Sequence, residues 1–222
     1  MVRAARRANV TRLVLTSSIV AMTAGKQSGR YGPDAWSDTT RNIGAYAKSK
    51  TLAERLAWEL VRGSEMELTV INPGAVFGPS LGAAADGQSV TMVADLIGGK
   101  MPMIPNVAMG MVDVRDVARL RVTALTAPGA QGMRFIASTQ EPIPMTALAA
   151  ILREAGYAKV PTRRAPNVAV RVMSLFDRAA KGMLPMLGKT ISFDTSATDR
   201  VLGWEPTPMA ESFTEMAASL SR

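Results

Sequence analysis

Short β-prone runs at residues 12–16, 68–72, 112–114 and 133–137 are separated by stretches long enough to form helices. Antiparallel neighbours can be joined by a tight turn, whereas parallel neighbours need a crossover of a dozen or more residues, usually a helix. The alternation therefore specifies an α/β chain with a parallel sheet. Residues 1–8 read as the last turns of a helix, so the chain is expected to begin inside an αβ unit. A Gly/Pro/Ser-containing loop is expected over 24–41, a long helix over 44–62, and a helix over 89–97 that stops at Gly98-Gly99. Residues 101–111, rich in Met and Pro, read as a loop or an irregular edge. A helix should then run from the third strand to about residue 125, and amphipathic helices are expected over 145–154, over 168–181 and from 209 onward. The expected organisation is a parallel α/β sheet with a more irregular second lobe assembled from the later segments.

With 222 residues, 47% apolar and 20% charged, the chain has the make-up of a folded protein. It contains no Cys and no His, which excludes disulfides, Cys/His metal sites and every catalytic arrangement that needs imidazole or thiolate. Chemistry must come from Ser, Thr, Tyr, Lys, Arg, Asp or Glu, and no metal site is expected. The net charge is +8. Arg3, Arg6, Arg7 and Arg12 crowd the start, and no acid precedes Asp34. Aromatic residues are 5% and do not interleave with the basic cluster, so a nucleic-acid platform is not expected. Residues 13–22 have the basic flank of an export signal, but Thr16, Ser17 and Ser18 interrupt them, and a strand fits better. No apolar run is long enough to span a membrane.

Chemistry-bearing residues collect in three segments. Thr16-Ser17-Ser18 follows the first strand, and the carboxyl ends of parallel strands face the crevice in which such sheets bind ligands. Tyr46 and Lys50 are four apart at the start of the long helix and share one face. An ammonium beside a phenol favours the phenolate, which suits the Tyr to acid and base work near neutral pH. A separate stripe of Ser49, Leu52, Leu56 and Leu60 is expected to pack against the core. Finally, Asn72-Pro73-Gly74-Ala75-Val76-Phe77-Gly78-Pro79 ends the second strand in a turn whose Pro and Gly allow close approach to a flat ligand.

With these segments in that order, the sequence resembles the extended short-chain dehydrogenase/reductases of the NAD-dependent epimerase/dehydratase superfamily, in the branch of dihydroflavonol-reductase-like aldehyde and ketone reductases. The matching pieces are residues 13–18, Tyr46-Ala47-Lys48-Ser49-Lys50 with Thr51-Leu52-Ala53-Glu54, residues 72–79, Val112-Asp113-Val114-Arg115-Asp116-Val117-Ala118, and Leu202-Gly203-Trp204-Glu205-Pro206. The resemblance implies a partial Rossmann-type parallel sheet in residues 1–80 and 111–138, its N-terminal strands missing, a smaller C-terminal α/β substrate lobe in 81–110 and 139–222, and reduction of a small carbonyl substrate by NADP or NAD. Tyr46 would supply the proton, Ser18 would bond the substrate carbonyl, and Lys50 would lower the Tyr pKa and hold the nicotinamide ribose. Ser17 is the alternative for the hydroxyl role, because a one-residue slip turns the side chain to the other face. Cofactor contacts are implied for Thr16, Ser17, Tyr46, Lys50, Pro73, Gly74, Ala75 and Val76. A cytoplasmic enzyme is implied, a homodimer through the Tyr46 helix, and neither nucleic acid nor membrane as a partner. Met92, Met103, Met109, Met173 and Phe176 are candidates for an apolar wall over the substrate.

The sequence departs from this pattern in containing neither G-x-G-x-x-G nor G-x-x-G-x-x-G, the turn that cradles a pyrophosphate at a helix N-terminus. The expectation is a chain that enters the fold after that turn, binds dinucleotide poorly alone and leaves its first strand with an open edge. Two other readings stand beside reduction. One is a nucleotide-sugar epimerase or dehydratase, which shares the Ser/Tyr/Lys set but should carry an Arg where Val70-Ile71-Asn72 lead into Pro73. The other is a non-catalytic fragment that binds partners through the open edge.

Overall fold

The computed structural model of the chain describes residues 1–80 and 87–221, so the expected lobe boundary at residue 81 lies outside the described residues. In chain order, α1 (Val2–Arg7) leads into β1 (Arg12–Thr16), α2 (Val20–Thr23), β2 (Gly29–Tyr31) and α3 (Ala45–Val61). Strand β3 (Glu67–Pro73) is followed almost directly by β4 (Ala75–Phe77), then α4 (Gln88–Ile97), β5 (Ala108–Met109), β6 (Met111–Asp113), α5 (Val114–Thr126) and β7 (Arg134–Ala137). The remainder comprises β8 (Ile143–Pro144), α6 (Met145–Glu154), α7 (Asn167–Met173), α8 (Arg178–Met183), β9 (Ile191–Phe193), α9 (Ser196–Leu202) and α10 (Met209–Leu220).

The central sheet is parallel in the order β1-β3-β7, with Thr16 opposite Ile71 and Asn72 opposite Ile136. Residues of β3 are buried on both faces, which accounts for its mostly apolar make-up, and its buried polar side chains Thr69 and Asn72 are hydrogen-bonded. On one face Ile71, Phe135 and Ala137 pack with Leu120 and Ala124 of α5 and with Leu202 and Trp204. On the other, Leu68 and Val70 meet Val2 of α1 and Ala57 of α3. A separate core joins Phe77, Val93, Leu96, Met111, Leu148 and Phe213. The Phe77 and Phe213 rings meet edge to face with centroids 5.0 Å apart. The two packing units are stitched together by the Val112–Ala118 motif: Asp113 caps α5 through Arg115 N–H and accepts from Ser212 Oγ, while Asp116 accepts from Thr207 N–H and Oγ1.

Several expectations change. The 24–41 loop contains β2, which pairs in parallel with β9 near the other end of the chain, and the 101–111 loop contains β5, paired antiparallel with β8. These short strands lack internal periodicity; their partners are too distant in sequence to be seen from either side. The expected single helix over 168–181 is broken into α7 and α8. Leu175 and Phe176 N–H bond to Val172 and Met173 carbonyls in tight turns, and Asp177 Oδ1 accepts from Ala180 N–H to start the next helix.

Candidate active site

Beyond β1 the ladder continues: Ser17 N–H bonds Ile71 O at 2.8 Å and Ile19 N–H bonds Pro73 O at 3.0 Å, so the hydroxyl segment is held beside the end of β3. Thr16 Oγ1 and Ser17 Oγ are buried there without a hydrogen-bond partner among the described residues. The Ser18 side chain is also buried, and its Oγ accepts from Val20 N–H at 3.4 Å as α2 begins. Helix α2 packs against α3, which brings the hydroxyl segment and the Tyr46 helix to one end of the sheet.

Helix α3 starts from Gly44, whose φ of 82° is a left-handed value that favours glycine. In its first turns Lys50 Nζ lies 5.9 Å from the centroid of the Tyr46 ring, so the four-residue spacing does bring the two side chains together. Lys50 is half-buried and Tyr46 is 60% exposed.

The inward face of this helix is not the expected stripe. Ser49 is exposed, Leu52 and Leu56 remain 47% and 46% exposed, and of the four only Leu60 joins a core cluster. Ala47, Thr51, Glu54 and Ala57 face inward instead. Glu54 is 1% exposed, and its carboxylate accepts from Arg134 Nε at 2.6 Å and from Asn72 Nδ2 at 2.9 Å. Asn72 Nδ2 also reaches Ser18 O at 3.2 Å. A single buried polar network thus ties the Tyr46 helix to the ends of β1 and β3. Arg134 donates further to Pro33 and Ala35 carbonyls and stacks its guanidinium on Trp36 at 3.8 Å. Burial pushes that guanidinium below its ordinary value, and the neighbouring Glu54 opposes the shift. Sequence reasoning missed Glu54, Asn72 and Arg134 as a set; the available signal was polar residues inside otherwise apolar runs.

The Pro73 turn also differs in its reason. A Cβ added to Gly74 would stand 2.5 Å from Gly110 O and 3.0 Å from Ser138 Oγ, so this glycine is required by close backbone approach within the protein. Ala75 N–H bonds the same Gly110 carbonyl at 2.9 Å. Val76 packs half-buried against the sheet cluster. Of the candidate apolar wall, Met92 and Met109 are half-buried against the second core, whereas Met173 and Phe176 are 41% and 89% exposed and do not join it. A concavity of about 290 Å³ is lined by Pro33, Asp34, Trp36, Trp58 and Arg134, and neither Tyr46 nor Lys50 is part of its lining. Among the described residues no cluster of acids could hold a metal ion.

The parallel α/β sheet carries hydroxyls and a Pro-Gly turn at its strand ends and a Tyr/Lys pair on α3, and this arrangement is of the Rossmann type. Residues 1–135 match the model of the NAD dependent epimerase/dehydratase family, and the chain belongs to that family. It is 34% identical over 147 residues to cinnamoyl-CoA reductase 2 of Arabidopsis thaliana, covering 63% of this chain and 43% of the relative. It is 30% identical over 149 residues to the NADPH-dependent methylglyoxal reductase GRE2 of Saccharomyces cerevisiae, covering 59% and 44%. The chain therefore spans less than half the length of these curated relatives. A solved structure of the yeast methylglyoxal/isovaleraldehyde reductase Gre2 complexed with NADPH superposes with a TM-score of 0.75 at 24% identity, over 95% of this chain and 64% of that one, a likeness of fold.

Proposed function

We propose that the chain supplies the proton-transfer and substrate-side groups for NAD(P)H-dependent reduction of a small aldehyde or ketone. The observation that carries this reading is the Tyr46/Lys50 pair on α3 in a fold whose β1 ends in Thr16 and Ser17 hydroxyls that are buried and, among the described residues, unpaired. Unpaired buried hydroxyls cost free energy unless a ligand satisfies them. The residues present fit the nicotinamide end of a dinucleotide: Lys50 for the ribose, Thr16 and Ser17 as hydrogen-bonding groups, and residues 73–76 as a border. The pyrophosphate has no glycine-rich turn in this sequence to hold it.

When bound, the reduced nicotinamide supplies the hydride that forms the new C–H bond. Ser18 Oγ orients the carbonyl oxygen, with Ser17 as the alternative donor. Tyr46 Oη delivers its proton to that oxygen as charge develops, so the products are an alcohol and a tyrosinate that Lys50 balances. NADP is favoured over NAD by the relatives whose names specify NADPH. The exposed Leu52 and Leu56 on α3 support a homodimer through that helix, and the expected compartment is cytoplasmic.

The test is fluorescence titration with NADPH and NADH, with turnover of small aldehydes and ketones, on the chain alone and fused behind a glycine-rich N-terminal half. Turnover reduced about 10²- to 10⁴-fold by Tyr46→Phe supports the assignment. Undiminished turnover in that variant would remove Tyr46 from the chemistry. The nucleotide-sugar alternative is less well supported, since Asn72 is consumed by Glu54 and Ser18 O and no Arg stands in its place.

A further inference from the structure

Helix α7 and the turn that follows it are apolar on both sides. Val170 faces inward at 4% exposed, while Val168, Val172, Leu175 and Phe176 stand 68%, 55%, 76% and 89% exposed. At about 100° per residue Val168 and Val172 fall on one outward face of α7 opposite Val170, and Leu175 and Phe176 follow in the exposed turn. A helix that is apolar all round belongs in a core or against another apolar phase. Leu175 and Phe176 occupy the turn between α7 and α8, at the tip of a helical hairpin, where contiguous exposed apolar side chains mark an interaction surface.

The charge around this ridge identifies what it meets. Residues 155–190 hold seven basic residues and one acid, while the rest of the chain holds nineteen basic residues and seventeen acids. Three quarters of the excess positive charge therefore belongs to this segment. Arg164, Arg171 and Lys181 are exposed around the ridge. Arg164 bonds Asn106 Oδ1 and Gly188 N–H bonds Asn106 O, which gathers the foot of α7 and the Lys189 neighbourhood at one place. A second copy of the chain is disfavoured as the occupant, because an isologous contact would set this positive segment against itself. An exposed aliphatic and aromatic surface in a segment rich in exposed cations needs no complementary pocket. It matches an interfacial anchor whose apolar side enters the headgroup boundary while basic residues meet anionic lipid.

We propose that the α7–α8 hairpin docks on an anionic bilayer surface, with Val168, Val172, Leu175 and Phe176 entering the acyl boundary and Arg164, Arg171 and Lys181 at the headgroups. The sequence expectation of no membrane partner rests on spanning helices, and among the described residues no helix is long and apolar enough to cross. Surface attachment is a different state. The proposal does not rest on the reductase reading.

The experiment is co-sedimentation of the 222-residue chain with vesicles of phosphatidylcholine alone and with about one third phosphatidylserine. The expected result is binding to the anionic vesicles that falls with added salt, with little binding to phosphatidylcholine. The Leu175→Ser/Phe176→Ser pair should lose at least about tenfold in partitioning, and Arg171→Gln or Lys181→Gln about fivefold each. Because these side chains are exposed, thermal melting should be unchanged. Tyr46→Phe should bind vesicles as the unaltered chain does, which separates this proposal from the catalytic one. Equal binding to both vesicle types, equal binding by the serine pair, or no vesicle binding would overturn it. Self-association abolished by the serine pair without vesicle binding would instead assign the ridge to a protein contact.

Discussion

The Glu54–Arg134 pair makes a quantitative prediction, because both partners are nearly inaccessible and each satisfies the other. Their side chains are 0% and 8% exposed, and the Nε to Oε1 distance is 2.6 Å. Arg134→Met would leave the Glu54 carboxylate buried with Asn72 as its remaining hydrogen-bond donor and would strip Pro33 O and Ala35 O of theirs. Breaking a buried pair by removing one member costs about 3–5 kcal/mol. That is a large share of the roughly 5–15 kcal/mol that holds a typical domain folded. At about 2–4 °C per kcal/mol for a chain of this size, the midpoint should fall by roughly 6–20 °C. Adding Glu54→Leu removes the stranded charge, so the double variant should be more stable than Arg134→Met alone, a positive coupling between neighbours. Urea titration followed by circular dichroism gives the free energies. Fluorescence gives a local reading, since Trp36 stacks on Arg134. A loss below about 1 kcal/mol in Arg134→Met, or a double variant as unstable as the sum of the singles, would refute the reasoning that desolvation governs this pair.

Three further outcomes follow from particular contacts. Gly74→Ala should lose about 1–3 kcal/mol in urea titration, because its Cβ would meet the Gly110 carbonyl at 2.5 Å; an unchanged midpoint would mean that the β3–β4 junction shifts freely. Asp113 is pushed up by burial, but hydrogen bonds from Arg115 and Ser212 outweigh this and hold its carboxyl below the ordinary 3.8. A depressed folded value means that its stabilisation is present above pH about 4 and is lost as pH falls through the folded value, so acid unfolding curves should flatten in Asp113→Asn. Leu52→Ser/Leu56→Ser should leave the melting temperature within a few degrees while converting any dimer to monomer in sedimentation at micromolar concentration. A dimer that persists would place the interface elsewhere.

The layering of the fold was legible because a doubly buried parallel strand writes a mostly apolar run, as Leu68, Val70 and Ile71 do, and because helices of crossover length lie between such runs. Pairings that span the chain were not legible. The contact of residues 29–31 with residues 191–193 has no local trace, since three residues carry no period. The break between α7 and α8 was hidden for a related reason. The apolar pattern runs on through Leu175 and Phe176, and the new helix opens where Asp177 Oδ1 accepts from Ala180 N–H, a contact no periodicity records.

The candidate site divides along the same line. Tyr46 and Lys50 could be read from spacing because an i,i+4 relation on a helix is purely local. Which face of that helix points inward could not, because hydrophobicity predicts the reverse of what is found: Leu52 and Leu56 outward, Thr51 and Glu54 inward. A buried carboxylate is tolerated only where donors from other elements meet it, and those donors sit 18 and 80 residues away in sequence. The inversion has a consequence for function. A helix seated on leucines could slide or rotate at small cost, whereas one pinned through Glu54 to Asn72 and Arg134 is fixed in rotation and register. Rotation about the helix axis is the coordinate that sets where Tyr46 and Lys50 point, so the polar inward face is the physical reason a tyrosine this exposed can hold a defined direction.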